Sequence, residues 1–148
     1  MARVIIPFEG WDWLKQTSSN IVIAHCIKPT PSAPGVLVIG APKSDFGIEV
    51  VSVIKGKNFT SAARLWTDHE LLEGQNYLLF GFYDSGIYKA YEPYRIVPLG
   101  LQFSTNMLAG KTLDEQIQML LQRRLNDLNR QMKAEQGEKA RLEQAFIK

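Results

Sequence analysis

Apolar positions come in short runs between residues 21 and 99, and the runs are too brief for helices. Ile21 to Lys28 (IVIAHCIK) is β-branched and apolar along its length, as a buried strand should be, and PTPSAPG breaks it with prolines at 29, 31 and 34. GVLVIG at 35–40 predicts a further strand or the far arm of an irregular hairpin. From Phe46, FGIEVVSVIKG reads extended. Alternation places Ile48, Val50, Ser52 and Ile54 on one face and Glu49, Val51, Val53 and Lys55 on the other. Both faces are largely apolar, so this strand is expected to be central or strongly curved.

ARLWT at 63–67 predicts the next strand, and LLEGQ a reversal at Gly74. NYLLFGFY at 76–83 is a strand with a glycine inside it, and Gly81 there predicts a bulge or a close backbone approach. DSG turns the chain into Ile87–Tyr91, and YRIVPL at 94–99 follows. The resulting expectation is about five principal strands in a closed or nearly closed barrel, with Val22, Val50, Leu78 and Phe80 in one core.

The period changes at both ends. Phe8, Trp11, Trp13 and Leu14 predict a short N-terminal helix or turn. After Lys111, Thr112 and Glu115 form a capping box, the reciprocal pairing that satisfies two backbone N–H groups at a helix start. Leu113, Ile117, Leu120, Leu121, Leu125, Leu128 and Met132 then recur every three or four residues, so one apolar stripe runs along several turns. Such a stripe must find cover, either on the barrel of its own chain or on a second copy or partner. Leu113, Ile117, Leu121, Leu125, Leu128 and Met132 are accordingly the candidate interaction residues. Beyond Met132 the stripe fades through KAEQGEKAR and resumes weakly at Leu142, Phe146 and Ile147. This divides the chain into a β domain at 1–110 and an amphipathic helix at 111–148.

Composition narrows the function classes. Apolar residues at 45% and charged residues at 22% belong to a folded globular chain of 148 residues. Residues 111–148 carry eight basic and six acidic residues while the first 110 balance nine against nine, which accounts for the net charge of +2. An excess that small along a helix is an ordinary solvated face and gives nucleic-acid binding little support. Cys26 is the only cysteine, which precludes an intrachain disulfide and a thiolate metal cluster. The start, MARVIIPFEGWDW, holds no apolar run of signal-peptide length, and no membrane span is expected.

Candidate chemistry is sparse. His25 and Cys26 are adjacent, so on a strand they point to opposite faces and do not share a metal. Asp68, His69 and Glu70 could form an acid-base group, but no nucleophile elbow or HExxH spacing accompanies them, and a solvated turn explains them equally. No cofactor is expected. Tyr77, Phe80, Phe82, Tyr83, Tyr88, Tyr91 and Tyr94 could stack bases if exposed, yet Lys89 and Arg95 are the only cations between residues 71 and 99.

The order SNIVIAHCI, FGIEVVSVIKG, LLEGQNYLLFGF and YRIVPL resembles the netrin-like domain, the group that includes the tissue inhibitors of metalloproteinases. The likeness covers roughly residues 20–99. It implies an OB-like, five-stranded Greek-key barrel with helix packed beside it, action by protein contact, and an extracytoplasmic (secreted or periplasmic) setting. The inhibitors of that family use an N-terminal, disulfide-bonded cysteine to chelate the protease zinc. This chain starts MARVIIP and has Cys26 within a strand, so that mechanism does not transfer. The expectation is a mainly β, noncatalytic interaction module of unknown protein partner. An OB-type single-stranded nucleic-acid or small-ligand binder ranks second and an enzyme third.

Overall fold

A computed structural model describes residues 6–30, 44–56, 62–67, 71–84, 86–130 and 136–146. It contains α1 (Trp11–Thr17), β1 (Asn20–Thr30), β2 (Ser44–Lys55), β3 (Ala62–Thr67), β4 (Asn76–Asp84), β5 (Ile87–Lys89) and β6 (Ile96–Gly100). Two helices follow, α2 (Leu113–Arg130) and α3 (Gln136–Gln144). The 35–40 segment lies outside the described residues.

The strands form one six-stranded sheet in the order β1-β2-β3-β5-β4-β6, and β1 also pairs with β4. Five strands, β1-β2-β3-β5-β4, therefore close into a ring, and β6 lies outside it on β4. All pairings are antiparallel except β3 with β5, where Arg64, Leu65 and Trp66 lie opposite Ile87, Tyr88 and Lys89.

Gly81 is where β4 changes partners. Asn20 lies opposite Gly81, whereas Phe82, one residue on, lies opposite Lys89. A Cβ at Gly81 would collide with the Lys89 carbonyl oxygen, so only glycine lets β5 approach there. This is the close backbone approach expected from the sequence.

Residues from every strand meet inside the ring: Val22, Cys26, Ile48, Leu65, Leu79 and Tyr88 belong to one buried cluster. Tyr88 is fully buried, and its hydroxyl lies 2.7 Å from the Asn20 carbonyl oxygen and 3.0 Å from that of Leu79. On the other side of β1, β4 and β6, Ile21, Ile23, Leu78, Phe80, Val97 and Leu99 form a second cluster with the three helices. The expectation of one core containing Val22, Val50, Leu78 and Phe80 is thus corrected. Val22 and Val50 belong with the interior cluster, while Leu78 and Phe80 face the helices. Burial on both faces is why IVIAHCI and NYLLFGF read as continuous apolar runs.

The second strand also departs from simple alternation. Its register against β1 slips past Val51 and Ile54, because Ile23 pairs with Ser52 and Ala24 with Val50, and Ile21 pairs with Lys55 and Val22 with Val53. Each extra residue reverses the facing of the residues after it. Val53 consequently packs against the interior cluster, Ile54 against the helix-side cluster, and Val51 is left exposed.

Helix α2 starts as its capping box requires. The Thr112 amide donates to Glu115 Oε1 at 3.0 Å, and the Glu115 amide donates to Thr112 Oγ1 at 3.2 Å. Helix α3 is tied down by three groups: Trp11 Nε1 donates to the Arg141 carbonyl (2.8 Å), Gln118 Nε2 donates to that of Ala145 (2.9 Å), and Arg124 grips Glu138 through two bonds of 2.7 and 3.0 Å. No helix among the described residues is long and apolar enough to cross a membrane.

Candidate functional site

The α2 stripe is turned into the chain's own core. Ile117, Leu121, Leu125 and Leu128 are buried among Leu14, Val97, Leu99 and their neighbours, and Leu113 packs half-buried at the margin. In this packing the four buried side chains face the chain's own core, and Leu113 keeps part of its surface. Met132 lies outside the described residues. Of the two covers the stripe could find, the same chain supplies the one seen, through the apolar face of β1, β4 and β6.

The other candidates separate as alternation requires. Cys26 points into the ring and is fully buried; burial, with a smaller contribution from Glu73, pushes its thiol up to about 11. His25 points the other way and pairs its Nδ1 with Asn76 Oδ1 at 3.1 Å. Asn76 is itself anchored by donation to the Gly100 carbonyl at 3.0 Å, so His25 belongs to the tie between β1 and the end of β6. Among the described residues no three His, Cys, Asp or Glu side chains are grouped to hold a metal. Asp68, His69 and Glu70 lie outside the described residues.

Of the seven aromatics, Tyr77, Phe80, Tyr88 and Tyr94 are buried, Tyr83 and Tyr91 half-buried, and Phe82 is 44% exposed. The two nearby cations have different roles. Arg95 is bound to Glu92 at 2.7 Å and lies over the ring of Tyr94, which belongs to the helix-side cluster. Lys89 instead lies between two rings, 5.8 Å from the centroid of Trp66 and 5.7 Å from that of Phe82.

This second arrangement follows from the pairing. Trp66 on β3 is opposite Lys89 on β5, and Lys89 is opposite Phe82 on β4, so the three side chains form one row across three strands. Their neighbours Leu65 and Tyr88 point inward, which sends Trp66 and Lys89 to the outer surface. The next row holds Arg64, Ile87 and Asp84, with Arg64 and Asp84 exposed. The helices pack on β1, β4 and β6, and none of them lies on this row. The Trp66 indole N–H is shielded from water and has no acceptor among the described residues.

A cation over an aromatic face is worth about 0.5–1 kcal/mol at exposed sites, so the two contacts hold Lys89 extended along the surface. The alternation of ARLWT is a local signal that puts Arg64 and Trp66 on one face of the strand. Their alignment with Lys89 and Phe82 depends on a parallel pairing between non-consecutive strands, for which local sequence carries no signal.

No protein-family model, no curated protein and no solved structure matches the chain.

Proposed function

We propose that the chain is a noncatalytic binding module built on an OB-type, netrin-like barrel, and that it engages a protein partner through the outer face of β3, β5 and β4. Two features support the barrel reading. The ring runs β1-β2-β3-β5-β4 and returns to β1, as a five-stranded Greek-key barrel requires, and its one parallel pairing joins β3 to β5. Helix packed beside the ring agrees with the same reading.

The observation that carries the binding role is the row Trp66–Lys89–Phe82. Large rings held by their own strands lose little freedom on docking, and a small number of such anchors dominate interface energies. The Lys89 ammonium beside the two rings favours a partner surface that offers carboxylates or backbone carbonyls beside an apolar contact.

The test is capture from the native source on immobilised protein, followed by calorimetry with each purified partner. Trp66→Ala/Phe82→Ala should weaken the identified complex by about 2 kcal/mol or more, roughly thirtyfold, while the exposed α2 substitution Gln122→Ala should leave it unchanged. An undiminished complex with the aromatic variant would remove this face from the function. A fluorescent single-stranded oligonucleotide is titrated in parallel. Salt-sensitive binding of the oligonucleotide, lost in the same variant and with no protein partner retained, would replace the protein reading with the nucleic-acid one.

A further inference from the structure

A second candidate site lies elsewhere on the molecule and does not depend on the aromatic row. Between the 71–75 reversal, β6 and the helices α2 and α3 is a cavity of about 190 Å³. Leu71, Pro93, Ile96 and Pro98 supply apolar walls, and Tyr77, Arg124, Glu138 and Arg141 supply polar ones.

We propose that this cavity binds a small organic monocarboxylate with a flat or compact apolar body, held by Arg141 and the Tyr77 hydroxyl.

The argument is a balance of donors and acceptors. The Tyr77 oxygen accepts from the Leu72 amide at 2.8 Å and from Gln75 Nε2 at 2.9 Å, so its own hydrogen is left to donate. Burial raises the Tyr77 pKa, which keeps that hydrogen in place at neutral pH. Glu138 has both carboxylate oxygens engaged by Arg124 Nε and Nη2, so the charges of this pair balance each other. Arg141 lines the same cavity, and no carboxylate among the described residues pairs with its guanidinium.

Among the described residues the lining thus carries one positive charge without a carboxylate partner, and a spare hydroxyl donor against apolar walls. A cation finds no free carboxylate there. A dianion brings more charge than the lining balances. A single carboxylate on a small ring satisfies both halves, since guanidinium and carboxylate match as a two-point fork.

Benzoate and its neutral counterpart benzamide are the probes, titrated into ¹⁵N-labelled full-length protein. Benzoate should shift the Leu72 and Gln75 amides saturably, with a Kd on the order of 1 mM as befits so small a ligand. Benzamide should bind at least tenfold more weakly. Arg141→Gln should lose about tenfold in benzoate affinity and leave benzamide unaffected, and Arg141→Lys should recover part of the loss. Tyr77→Phe should weaken benzoate by several-fold. Equal affinity for the two probes in the unmutated protein overturns the proposal. So does the absence of saturable shifts with benzoate, or an Arg141→Gln protein of unchanged melting temperature and unchanged benzoate affinity.

Discussion

Cys26 shows how one strand position can set the chemistry of a side chain. It sits within the ring among Val22, Ile48 and Leu65, with its thiol pushed up to about 11 by the loss of water around it. The thiolate is the nucleophile, so labelling of folded protein near pH 8 should run orders of magnitude slower than labelling of a free cysteine peptide. Labelling at the peptide rate would mean that the ring opens or that Cys26 lies outside it. Leu78, buried on the helix side, gives a complementary probe: Leu78→Ala should cost about 2–5 kcal/mol, read as a lower denaturation midpoint. The opposite facing of His25 and Cys26 was legible from strand alternation alone. The exposure of Ile27 (42%) and Val51 (41%) was not, because each sits where the β1–β2 register slips, and a bulge is a property of the pair of strands.

At the level of elements, the C-terminal helices complete the core, and α2 supplies five buried side chains to it. Leu121→Asp/Leu125→Asp should therefore destabilise the protein by several kcal/mol and leave its mass in solution unchanged, checked by circular dichroism with light scattering. A folded protein of lower mass than the parent would place the stripe at an interface between copies. The capping box adds a small pH dependence. The bonds from Thr112 lower the Glu115 pKa from its ordinary value, so its support is present above the unfolded pKa and fades as pH falls through the folded one. The start of α2 was readable because a capping box and a 3.6-residue period are local signals. The division after residue 110 reflects the same change of period, yet α1, α2 and α3 share one cluster with β1, β4 and β6. Composition changes where the secondary structure changes, and the hydrophobic core runs through that point.

At the scale of the whole molecule, two surfaces arise from one closure. Joining β3 to β5 in parallel and β4 back to β1 encloses Tyr88, aligns Trp66, Lys89 and Phe82 outside, and leaves the helices to cover the opposite side. The strands were legible one by one from their apolar runs. Their order was not, since among the described residues the β3–β5 contact is made by three residue pairs and needs the rest of the ring to hold it. That contact is also what the candidate binding face depends on. Its most direct test is nuclear Overhauser spectroscopy of the folded protein across this seam. The account predicts cross-peaks from the Leu65 backbone to that of Tyr88, and from the Trp66 indole to the Lys89 side chain. The Lys89 ε-methylene should be shifted upfield by the rings on either side and return towards its ordinary position in Trp66→Leu. A Lys89 ε-methylene at its ordinary shift, with no cross-peak between β3 and β5, would contradict the ring and the binding face together.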